Sequence, residues 1–515
     1  MASAKWDAIV VGSGIGGLAC AAALAKTGHR VLVLEQHTVA GGLTHTFSRD
    51  GYTWNVGVHY IGEMGKGDRP RAILDWLSDG RIEMAPVGET HDTMHFPGGF
   101  EVRFCRPEAA LKQELKEKFP GSTSEIDGFF AALAEAEKAG LAVFNERGLP
   151  TTISRLHAVW HRKEIAKWCS STTAEALGRL VSDPKLRAVL GAQWLDYGGL
   201  PSQSSFAMHA IVMRNYLGGA YYPVGGAGAF AAALVPVIES AGGEVRTGAQ
   251  VTELAVSAGR VTGVRLKGGE ALNAAHVFSD AGARNTVVRL LPSDMWYSEW
   301  AQEISSFKPS VCHVGLYLGL EGDIRAAGAT ASNHWFHDSW ALEDAVWTEP
   351  AVDRSAPPVM FVSFPSLKDP RHDPGERNRH TAEIVVLTTW STFAPWEDSV
   401  HGHRPAGYAA VKDVVERNLL AAFRNRFPAA AAMIRHHEAS TPLSTTAFTG
   451  ARQGAIYGLE TTPRRFLSTS LRAKTPVPGL FLAGQDVTTP GVVGAMMGGL
   501  IAAAAVDPRI YRHLS

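Results

Sequence analysis

Cysteine, charge and long apolar runs are all scarce in this chain. Its four cysteines lie far apart and include no Cys-x-x-Cys pair, which excludes a disulfide framework and a zinc ribbon and favours a reducing, cytoplasmic setting. Charged residues make up 19% of the 515 residues, against the roughly 25% usual for soluble proteins. The formal net charge is −1, so no basic field favours a nucleic-acid partner.

No segment has the length of a membrane span. An apolar run near the C-terminus, PGVVGAMMGGLIAAAAV, has about 17 residues, many of them small, whereas a transmembrane helix needs about 20. The N-terminal MASAKWDAIVV begins like a signal peptide, but glycines interrupt its apolar part and the charged AKTGHR follows. We expect a buried helix at the first stretch and a strand, a glycine turn and a helix at the second.

Metal ligation and serine hydrolysis are not expected either. A zinc site draws three or four ligands from histidine, cysteine and carboxylate side chains. No such set accompanies the histidine pairs of the sequence, which are His157 with His161, His401 with His403, and His436 with His437. The serine-containing turns lack the context of a nucleophile elbow. The sequence therefore predicts no metal and no serine nucleophile.

The sequence does contain a glycine fingerprint at its start. Residues 7–11 predict a buried parallel strand. Gly12, Gly14 and Gly17 follow as G-x-G-x-x-G, before a helix predicted at residues 18–26. In this motif the first glycine allows the tight turn, the second lets the backbone approach a pyrophosphate, and the third lets helix and strand pack closely. The N-terminus of the helix stabilises the phosphate charge.

An acid completes the fingerprint. A second strand, predicted at residues 30–34, ends on Glu35, and an acid at this distance accepts hydrogen bonds from ribose hydroxyls. Because strand, turn, helix and acid occur together, the sequence predicts dinucleotide binding. A glycine-rich turn in an unrelated α/β fold is the alternative. The acid also argues against a ribose 2′-phosphate at this position.

A matching unit lies near the C-terminus. Residues 480–483 predict a buried strand, Gly484 gives a turn, and Gln485 and Asp486 offer polar groups to the ribityl or phosphate region of a cofactor. A helix predicted to begin at Gly494 would again present backbone N–H groups and a positive dipole end. An ordinary strand–loop–helix is the alternative. We expect the two ends of the chain to meet at one cofactor.

Longer stretches carry a family resemblance. EQHTVAGGLTHTF with the following GVHYIG, the central FVSFPSLKDP, and the C-terminal ARQGAIYG and SLRAKTPVPGLFLAGQDVTTPGVVGA resemble retinol saturases. These are the 13,14-reductases of the carotenoid-isomerase and phytoene-desaturase group of FAD-dependent, amine-oxidase-like flavoproteins. The likeness covers most of the chain and is strongest at residues 7–62 and 441–500. It implies non-covalently bound FAD and a bacterial relative without the signal or anchor of the animal enzymes.

The resemblance also implies an α/β fold with a discontinuous division of the chain. A Rossmann-type FAD-binding domain with a parallel sheet would comprise residues 1–66, 221–299 and 441–515. An interrupted α+β substrate-binding domain would comprise residues 67–220 and 300–440, with a helical part at 125–200. The basic amphipathic stretch 141–169 either docks on a membrane surface or is an ordinary solvated helix.

The fingerprint and the resemblance together give the predicted cofactor contacts. Relatives commonly carry Gly-Gly-Arg where this chain has Gly41, Gly42 and Leu43, so one cationic phosphate contact is missing. Val251 is included because in relatives this residue contacts the adenine through its backbone. The full set is Gly12, Ser13, Gly14, Ile15, Gly16, Gly17, Glu35, Gln36, His37, Gly41, Gly42, Leu43, Thr44, Val251, Gly484, Gln485, Asp486, Val493, Gly494 and Ala495.

Proton transfer beside the flavin has three candidate residues. Reduction of a C=C bond needs a hydride from the flavin and a proton at the other carbon. His45, His59 and Tyr60 belong to segments that the resemblance places beside the isoalloxazine. Histidine titrates near neutral pH and tyrosine can relay a proton. The alternative is that His59 and Tyr60 only hydrogen-bond the backbone and shape the pocket. Tyr222 and Tyr457 are weaker candidates.

The sequence therefore predicts an FAD-dependent oxidoreductase acting on a C=C bond of a long apolar polyene or isoprenoid lipid. Reduction, as in the retinol saturases, is preferred, while desaturation and cis–trans isomerisation share the flavin geometry and stay open. A more remote alternative is a prenyl-lipid carrier without redox chemistry, which would not need the intact dinucleotide motif. We expect an external electron donor or acceptor of unknown identity, and a cytoplasmic protein with peripheral membrane contact as an option.

Overall fold

Two seven-stranded sheets organise the protein in its computed structural model, which describes residues 6–149 and 161–513. Within those residues, two smaller sheets of two and three strands lie beside them. The strands are β1 (Trp6–Val11), β2 (Val31–Leu34), β3 (Thr46–Arg49), β4 (Tyr52–Asn55), β5 (Ile61–Gly62), β6 (Met84–Pro86), β7 (Thr90–Phe96), β8 (Phe100–Cys105), β9 (Ala220–Pro223), β10 (Glu244–Arg246), β11 (Val251–Ser257), β12 (Arg260–Leu266), β13 (Ala271–Ser279), β14 (Cys312–Glu321), β15 (Asn333–His337), β16 (Val359–Ser363), β17 (Arg379–Thr388), β18 (Ile434–Ser440) and β19 (Leu480–Leu482).

Helices of eight or more residues connect and cover these strands. They are α1 (Ile15–Lys26), α2 (Arg69–Ser78), α3 (Glu108–Lys118), α4 (Thr123–Gly148), α5 (Thr173–Leu180), α6 (Pro184–Gly191), α7 (Phe206–Leu217), α8 (Ala229–Ser240), α9 (Glu299–Ser306), α10 (Ala406–Arg426), α11 (Pro442–Thr449) and α12 (Val492–Ala504). Shorter helical turns join them, among them the 3-10 helix Ala192–Asp196 that follows α6.

The first sheet brings strands from both ends of the chain together. Its order is β10-β2-β1-β13-β12-β11, and β19 also pairs with β13. β1 lies parallel to β2 and to β13. β19 lies parallel to β13 along the edge opposite β1. The sequences WDAIVV of β1 and VLVL of β2 are almost wholly buried, as expected for parallel strands covered on both faces.

The second sheet lies within the middle of the chain. Its order is β18-β14-β17-β16-β15-β7-β8, antiparallel except where β15 runs parallel to β7. Its apolar side chains form two clusters, one under α10 and one against α4 and α7. Side chains of β15, β16 and β17, among them Trp335, Phe361 and Leu387, belong to the cluster against α4 and α7.

Some predicted boundaries are wrong at the ends of elements. α1 begins at Ile15 rather than at residue 18, and α12 begins at Val492 rather than at Gly494. Glycine is unfavourable in helix interiors, which is why the pattern placed the start of α1 after Gly16 and Gly17. β2 begins at Val31, one residue later than predicted. Both helices nevertheless contain glycine, because a Cβ would clash with neighbouring backbone. A Cβ on Gly17 would meet the carbonyl oxygen of Gly12, and one on Gly499 would meet that of Gly16.

The strands of the first sheet lie within residues 6–34, 244–279 and 480–482, and those of the second within 90–105 and 312–440. The predicted domain limits themselves stay a prediction. Residues 150–160 of the predicted basic amphipathic stretch, with His157, lie outside the described residues. Among the helices that the structure describes, none combines the length and apolar character needed to cross a bilayer.

Candidate active site

A cavity of about 490 Å³ lies at the carboxyl ends of the central strands of the first sheet. Open parallel α/β sheets bind their ligands at this edge. Gly12, Glu35, Asp280 and Gln485, which follow β1, β2, β13 and β19, all line it. Its volume falls in the range of small-molecule sites, about 300–1,000 Å³.

The turn after β1 is built from backbone. Gly12 has a φ of +97°, a conformation that favours glycine, and its N–H donates to the carbonyl of Leu34 at 2.8 Å. A Cβ on Gly17 would lie 2.2 Å from the carbonyl oxygen of Gly12, so the third glycine is needed for the turn to close on the helix. This turn places Gly14 and Ile15 at the cavity.

The N-terminal ends of α1 and α12 lie side by side at this cavity. A Cβ on Gly499 would lie 2.0 Å from the carbonyl oxygen of Gly16, so the two helices approach with their backbones in contact. Ile15 at the start of α1, and Gly491 and Ala495 at the start of α12, line the cavity. The first N–H groups of a helix have no partner within it, and the dipole is positive there. Two such ends favour a ligand that carries phosphates.

Glu35 is held in place by the glycine turn. Its Oε2 accepts hydrogen bonds from the N–H of Ser13 at 2.9 Å and from the hydroxyl of Ser13 at 2.7 Å. Its Oε1 accepts from the N–H of His37 at 2.8 Å. The carboxylate is thereby fixed in the wall of the cavity, where it can accept from ribose hydroxyls.

The segment AGGLTHTF lies against the glycine turn. Gly41 forms a bridge with Gly14, and the N–H of Gly41 donates to the carbonyl of Ser13 at 3.1 Å. Gly42 has a φ of +55°, and a Cβ there would lie 2.9 Å from the Cα of Gly14. The glycine pair therefore lets two stretches of backbone touch at the edge of the cavity.

His45 holds this segment in shape. Its Nδ1 donates to the carbonyl of Gly42, and the imidazole lines the large cavity. Burial lowers the pKa of His45 from its ordinary value. Because the ring is neutral at neutral pH and already donates to the backbone, the geometry favours a positioning role for His45 over proton donation.

Asp280 belongs to the site, although the sequence interpretation did not single it out. It follows β13, lines the cavity and accepts a 2.8 Å hydrogen bond from the N–H of Gly17. A Cβ on Gly14 would lie 2.7 Å, and one on Gly484 1.9 Å, from its carboxyl oxygens. Both glycine turns therefore close on this one carboxyl. Burial, with a smaller contribution from neighbouring carboxylates, raises the pKa of Asp280 from 3.8 to about 7.

Three arginines, Arg284, Arg289 and Arg452, also line the cavity. Burial lowers the pKa of Arg284, and the positive charges of Arg452 and Arg289 lower it further, so the three cations lie close together. Leu43 occupies the position at which the resemblance implies an arginine in relatives. The cluster gives the cavity the positive charge that Leu43 cannot supply. No local sequence motif pointed to it.

These features fit FAD. The cavity offers two helix N-termini and three arginines to the phosphates, and it offers the carboxylate of Glu35 to ribose hydroxyls. The predicted contacts that line it are Gly12, Gly14, Ile15, Gly16, Glu35, Gln36, His37, Gly42, Leu43, Thr44, Val251, Gln485, Asp486 and Ala495. Those that do not line it are Ser13, Gly17, Gly41, Gly484, Val493 and Gly494. Several of these serve packing instead; a Cβ on Gly494, for example, would lie 2.0 Å from the hydroxyl of Thr489.

A second cavity, of about 100 Å³, adjoins the first. Four residues line both: Leu43, Gly57, Ile456 and Tyr457. The rest of the second wall is mainly apolar and consists of Val56, Leu195, Trp335, Val359, Phe361, Val385 and Leu387. Its polar members are His59, Tyr60, Asp196 and His313. The structure therefore sets a small apolar space with a few titratable groups beside the cofactor cavity.

His59 is fixed at this second cavity by a buried carboxylate. Its Nδ1 donates to Glu383 at 2.8 Å, and Glu383 also accepts from the N–H of Asn55 at 2.8 Å. The imidazole lies 4.8 Å from the ring of Phe361, measured between centroids. A histidine oriented by a carboxylate is a common acid–base arrangement, although proton donation by His59 stays a prediction.

Tyr60 also faces the second cavity, but its hydroxyl is already engaged. The oxygen lies 3.0 Å from Oδ2 of Asp92 and 3.0 Å from Oδ2 of Asp196. The ring stacks on Tyr216 with 4.5 Å between centroids. Burial and the two acidic groups raise the pKa of Tyr60 well above its ordinary value, so the phenol keeps its proton. Tyr60 stays a predicted catalytic residue, and the structure adds Asp196 beside it.

Lys368, from the FVSFPSLKDP stretch, is a buried residue that hydrogen-bonds the backbone of His59 and two polar side chains. Its Nζ donates to the hydroxyl of Ser363 at 2.7 Å, to the carbonyl of His59 at 2.9 Å and to the side-chain oxygen of Asn333. Burial lowers the pKa of Lys368 from 10.5 to about 7, although nearby carboxylates oppose the shift. The lysine therefore fixes the backbone at His59.

Other predicted groups lie elsewhere. Tyr222 lines neither cavity, and its hydroxyl accepts from the side-chain amide of Asn55 at 2.7 Å. Within residues 6–149 and 161–513 there is no group of three or more histidine, cysteine or acidic side chains that could hold a metal ion.

The fold and the site define an FAD-dependent oxidoreductase, and comparison with known proteins identifies the family. The model of the flavin-containing amine oxidoreductase family matches residues 15–314. The rat all-trans-retinol 13,14-reductase is 34% identical over 99% of this chain and 87% of its own length. The chain belongs to the flavin-containing amine oxidoreductases and, within them, to the family of the all-trans-retinol 13,14-reductases.

More distant relatives support the same fold. The chloroplastic prolycopene isomerase of Arabidopsis thaliana is 26% identical over 97% of this chain and 82% of its own length. The crystal structure of an oxidoreductase from Methanosarcina mazei has a TM-score of 0.65 at 16% identity, covering 96% of this chain and 98% of that one. The predicted family, fold class and FAD cofactor are confirmed.

Proposed function

We propose that this flavoprotein reduces a carbon–carbon double bond of a long apolar polyene or isoprenoid. The observation that supports this most is the second cavity, an apolar space with buried acid groups that shares four wall residues with the FAD cavity. An apolar pocket with a few convergent polar groups is the usual form of a small-molecule site. The 13,14-reductases of retinol among the relatives give the polyene class and the preference for reduction.

The size of the second cavity limits how such a substrate binds. Its volume of about 100 Å³ is about a fifth of the 490 Å³ of the cofactor cavity. We expect one segment of a long polyene to lie in it beside the titratable groups, while the rest of the polyene extends past the residues that both cavities share.

The chain's own residues position the substrate, exclude water and supply a proton. A bound FAD, once reduced, supplies the hydride. Trp335 and Phe361, whose ring centroids lie 4.5 Å apart, offer flat apolar surface to a conjugated chain. His59, fixed by Glu383 and by Lys368 through its carbonyl, lies where it can orient the bond that reacts.

The test is an anaerobic incubation of the holoprotein with photoreduced flavin and a panel of polyenes that includes all-trans-retinol. We expect the flavin to become oxidised and one polyene to gain two hydrogens, as measured by mass spectrometry. In a parallel anaerobic incubation that starts with oxidised flavin, a polyene that loses two hydrogens while the flavin becomes reduced would instead identify a desaturase. Flavin that stays reduced with every polyene, or is oxidised without any change in a polyene, would contradict the proposal.

Isomerisation is the second candidate, because a prolycopene isomerase is among the relatives. It predicts a product of unchanged mass and shifted chromatographic retention, with the flavin returned to its starting state. A purely lipid-carrying role predicts a colourless protein that does not take up FAD. An external electron donor, and a cytoplasmic location with peripheral membrane contact, stay predictions.

A further inference from the structure

The hydroxyl of Tyr60 has two acidic neighbours but only one hydrogen. It lies 3.0 Å from a carboxyl oxygen of Asp92 and 3.0 Å from one of Asp196. A phenol donates one hydrogen bond at a time and accepts others. Two ionised carboxylates at these distances would leave one of them facing the lone pairs of the phenol. The geometry therefore requires that one of the two acids is protonated and donates to Tyr60.

The surroundings decide which acid holds the proton. Oδ1 of Asp92 accepts from the side-chain amide of Asn333 at 3.1 Å and from the indole of Trp335 at 3.0 Å. Hydrogen bonds donated to a carboxylate stabilise its ionised form. Tyr60 is the partner that Asp196 has in the structure. Asp92 is therefore the ionised member of the pair, and Asp196 is the carboxylic acid.

The position of Asp196 in the fold suits contact with a substrate. It ends the 3-10 helix Ala192–Asp196, and the accessible part of its side chain faces the second cavity. The hydroxyl of Tyr457 donates to the carbonyl of the preceding residue, Leu195, at 3.0 Å. Since Tyr457 lines both cavities, it fixes the segment that carries the acid beside the cofactor cavity.

The electrostatics agree with this assignment. Burial and the charge of Asp92 raise the pKa of Asp196 well above its ordinary value. The titratable groups that interact electrostatically with Asp196 are Asp92, Tyr60, Tyr197, Tyr216 and Tyr457, and His59 and His313 line the same cavity. Burial raises the pKa of each of the four phenols, so all stay neutral near neutral pH. Asp92 is then the charge that keeps its neighbour protonated.

We propose that Asp196 is the proton donor of the reaction, with Tyr60 and Asp92 as the residues that position it; this rests on the proposed function. Saturation of one C=C bond breaks its π bond and forms two C–H bonds. One carbon receives the hydride with its electron pair from the reduced cofactor, and the other receives the proton of Asp196. To deliver the proton, the O–H of Asp196 turns from Tyr60 toward that carbon. The carboxylate left behind shares the single hydrogen of Tyr60 with Asp92, an unfavourable state that ends when solvent reprotonates Asp196 before the next turnover.

The protonation state is tested without turnover. Infrared spectra of the holoprotein in neutral buffer are compared as wild type minus Asp196→Asn, so that Asp280 and Glu63, whose pKa values are raised to about 7, cancel. We expect a protonated-carboxyl band that is lost in Asp196→Asn and kept in the control Asp353→Asn, a residue whose side chain is 71% exposed. A difference spectrum without that band would overturn the assignment.

The proton transfer is tested by single turnover with photoreduced flavin and all-trans-retinol in heavy water. We expect Asp196→Asn to slow flavin oxidation at least ~100-fold while FAD content and retinol binding stay at the wild-type level. Asp196→Glu should recover part of the rate. In wild type the deuterium at the protonated carbon should enter on one face of the product, and in the residual reaction of Asp196→Asn it should enter on both faces.

The outcomes separate the two proposals. A wild-type rate and single-face labelling in Asp196→Asn would overturn the donor role while leaving C=C reduction in place. If wild-type protein reduces no polyene, the proposed function fails and the donor role falls with it. The infrared comparison still decides whether Asp196 is protonated. Loss of FAD from Asp196→Asn, with FAD retained by Asp353→Asn, would make Asp196 a structural residue and would also overturn the proposal.

Discussion

The two cavities that meet at Leu43, Gly57, Ile456 and Tyr457 are built in opposite ways. The larger one is formed by glycine turns and two helix N-termini. Its shape depends on close contacts between stretches of backbone, which only glycine allows. The smaller one is formed by large apolar side chains around a network of buried acids, a histidine and a lysine, brought from several distant elements.

We infer from this difference that the larger cavity binds the cofactor and that the smaller one holds the residues that act on the substrate. A large polar cofactor is held by many backbone contacts, so small residues matter most in its cavity. Proton transfer to an apolar substrate needs few groups, and these need pKa values that burial has shifted. We therefore expect substitutions in the first cavity to change FAD retention and substitutions in the second to change turnover at constant FAD content.

The largest effect is expected from Gly42→Val. A β-branched side chain is strained at a φ of +55°, and its Cβ would lie 2.9 Å from the Cα of Gly14. Purified Gly42→Val should contain no flavin by absorbance. Gly98→Val is the matched control, because Gly98 has a φ of +80° but open space around it. Full FAD occupancy in Gly42→Val would show that this segment does not form the cofactor site.

His59→Phe should separate turnover from binding. The substitution leaves Glu383, which is completely buried, without its imidazole partner. We expect turnover to fall at least ~10-fold, with stability lowered by about 1–3 kcal/mol as measured by denaturant unfolding. FAD content should not change. The exposed His403→Phe serves as the control, and equal turnover in the two variants would assign His59 to packing alone.

FAD affinity should depend on pH through Asp280. Its pKa is raised to about 7, so the carboxyl is neutral below that pH and repels the cofactor phosphates above it. The affinity of the apoprotein for FAD, measured by flavin fluorescence, should weaken as the pH rises through about 7, by at most about tenfold per pH unit. In Asp280→Asn the dependence should flatten. An unchanged slope in that variant would remove Asp280 from the phosphate site.

Asp280 should also affect stability of the apoprotein. Its folded pKa lies above its ordinary value of 3.8, so the folded state holds the proton more tightly than the unfolded state between 3.8 and about 7. The unfolding free energy should therefore fall as the pH rises through that window. Asp280→Asn should make this fall smaller, as followed by thermal unfolding at several pH values, while Glu63, whose pKa is also raised to about 7, keeps its own contribution.

The smallest effect is expected from the arginine cluster. Arg289→Gln removes one of three close cations at the cavity, which should weaken FAD binding by about 0.5–1 kcal/mol and reduce its dependence on salt. Arg371→Gln, whose side chain is 70% exposed, is the control. A salt dependence of FAD binding that is equal in both variants would mean that the cluster does not contact the phosphates.

Much of the larger cavity could be predicted from the sequence because its determinants are local. Gly12, Gly14, Gly17 and Glu35 lie within one strand–turn–helix–strand unit, and such a unit constrains its own geometry. The C-terminal unit was predicted from its own strand, turn and helix pattern, and resemblance added AGGLTHTF. The errors were at helix starts, where Gly16 and Gly17 lie in the first turn of α1 because other backbone packs on them.

The smaller cavity could not be predicted in the same way. Tyr60 lies just before β5, Asp92 lies in β7 and Asp196 ends a 3-10 helix, so the three residues are far apart in the sequence. Their pKa shifts arise from burial and mutual proximity, which no local pattern encodes. Lys368 was present in a stretch used for the resemblance, but its role depends on contacts across the second sheet.

The most direct test of the account is a crystal structure of the holoprotein with a short polyene bound. We predict FAD in the larger cavity with its reactive ring at Leu43, Gly57, Ile456 and Tyr457, and the polyene in the smaller cavity with one carbon of its double bond about 3–3.5 Å from the carboxyl of Asp196. A ring closed off from the smaller cavity, or a polyene bound away from Asp196, would contradict the account.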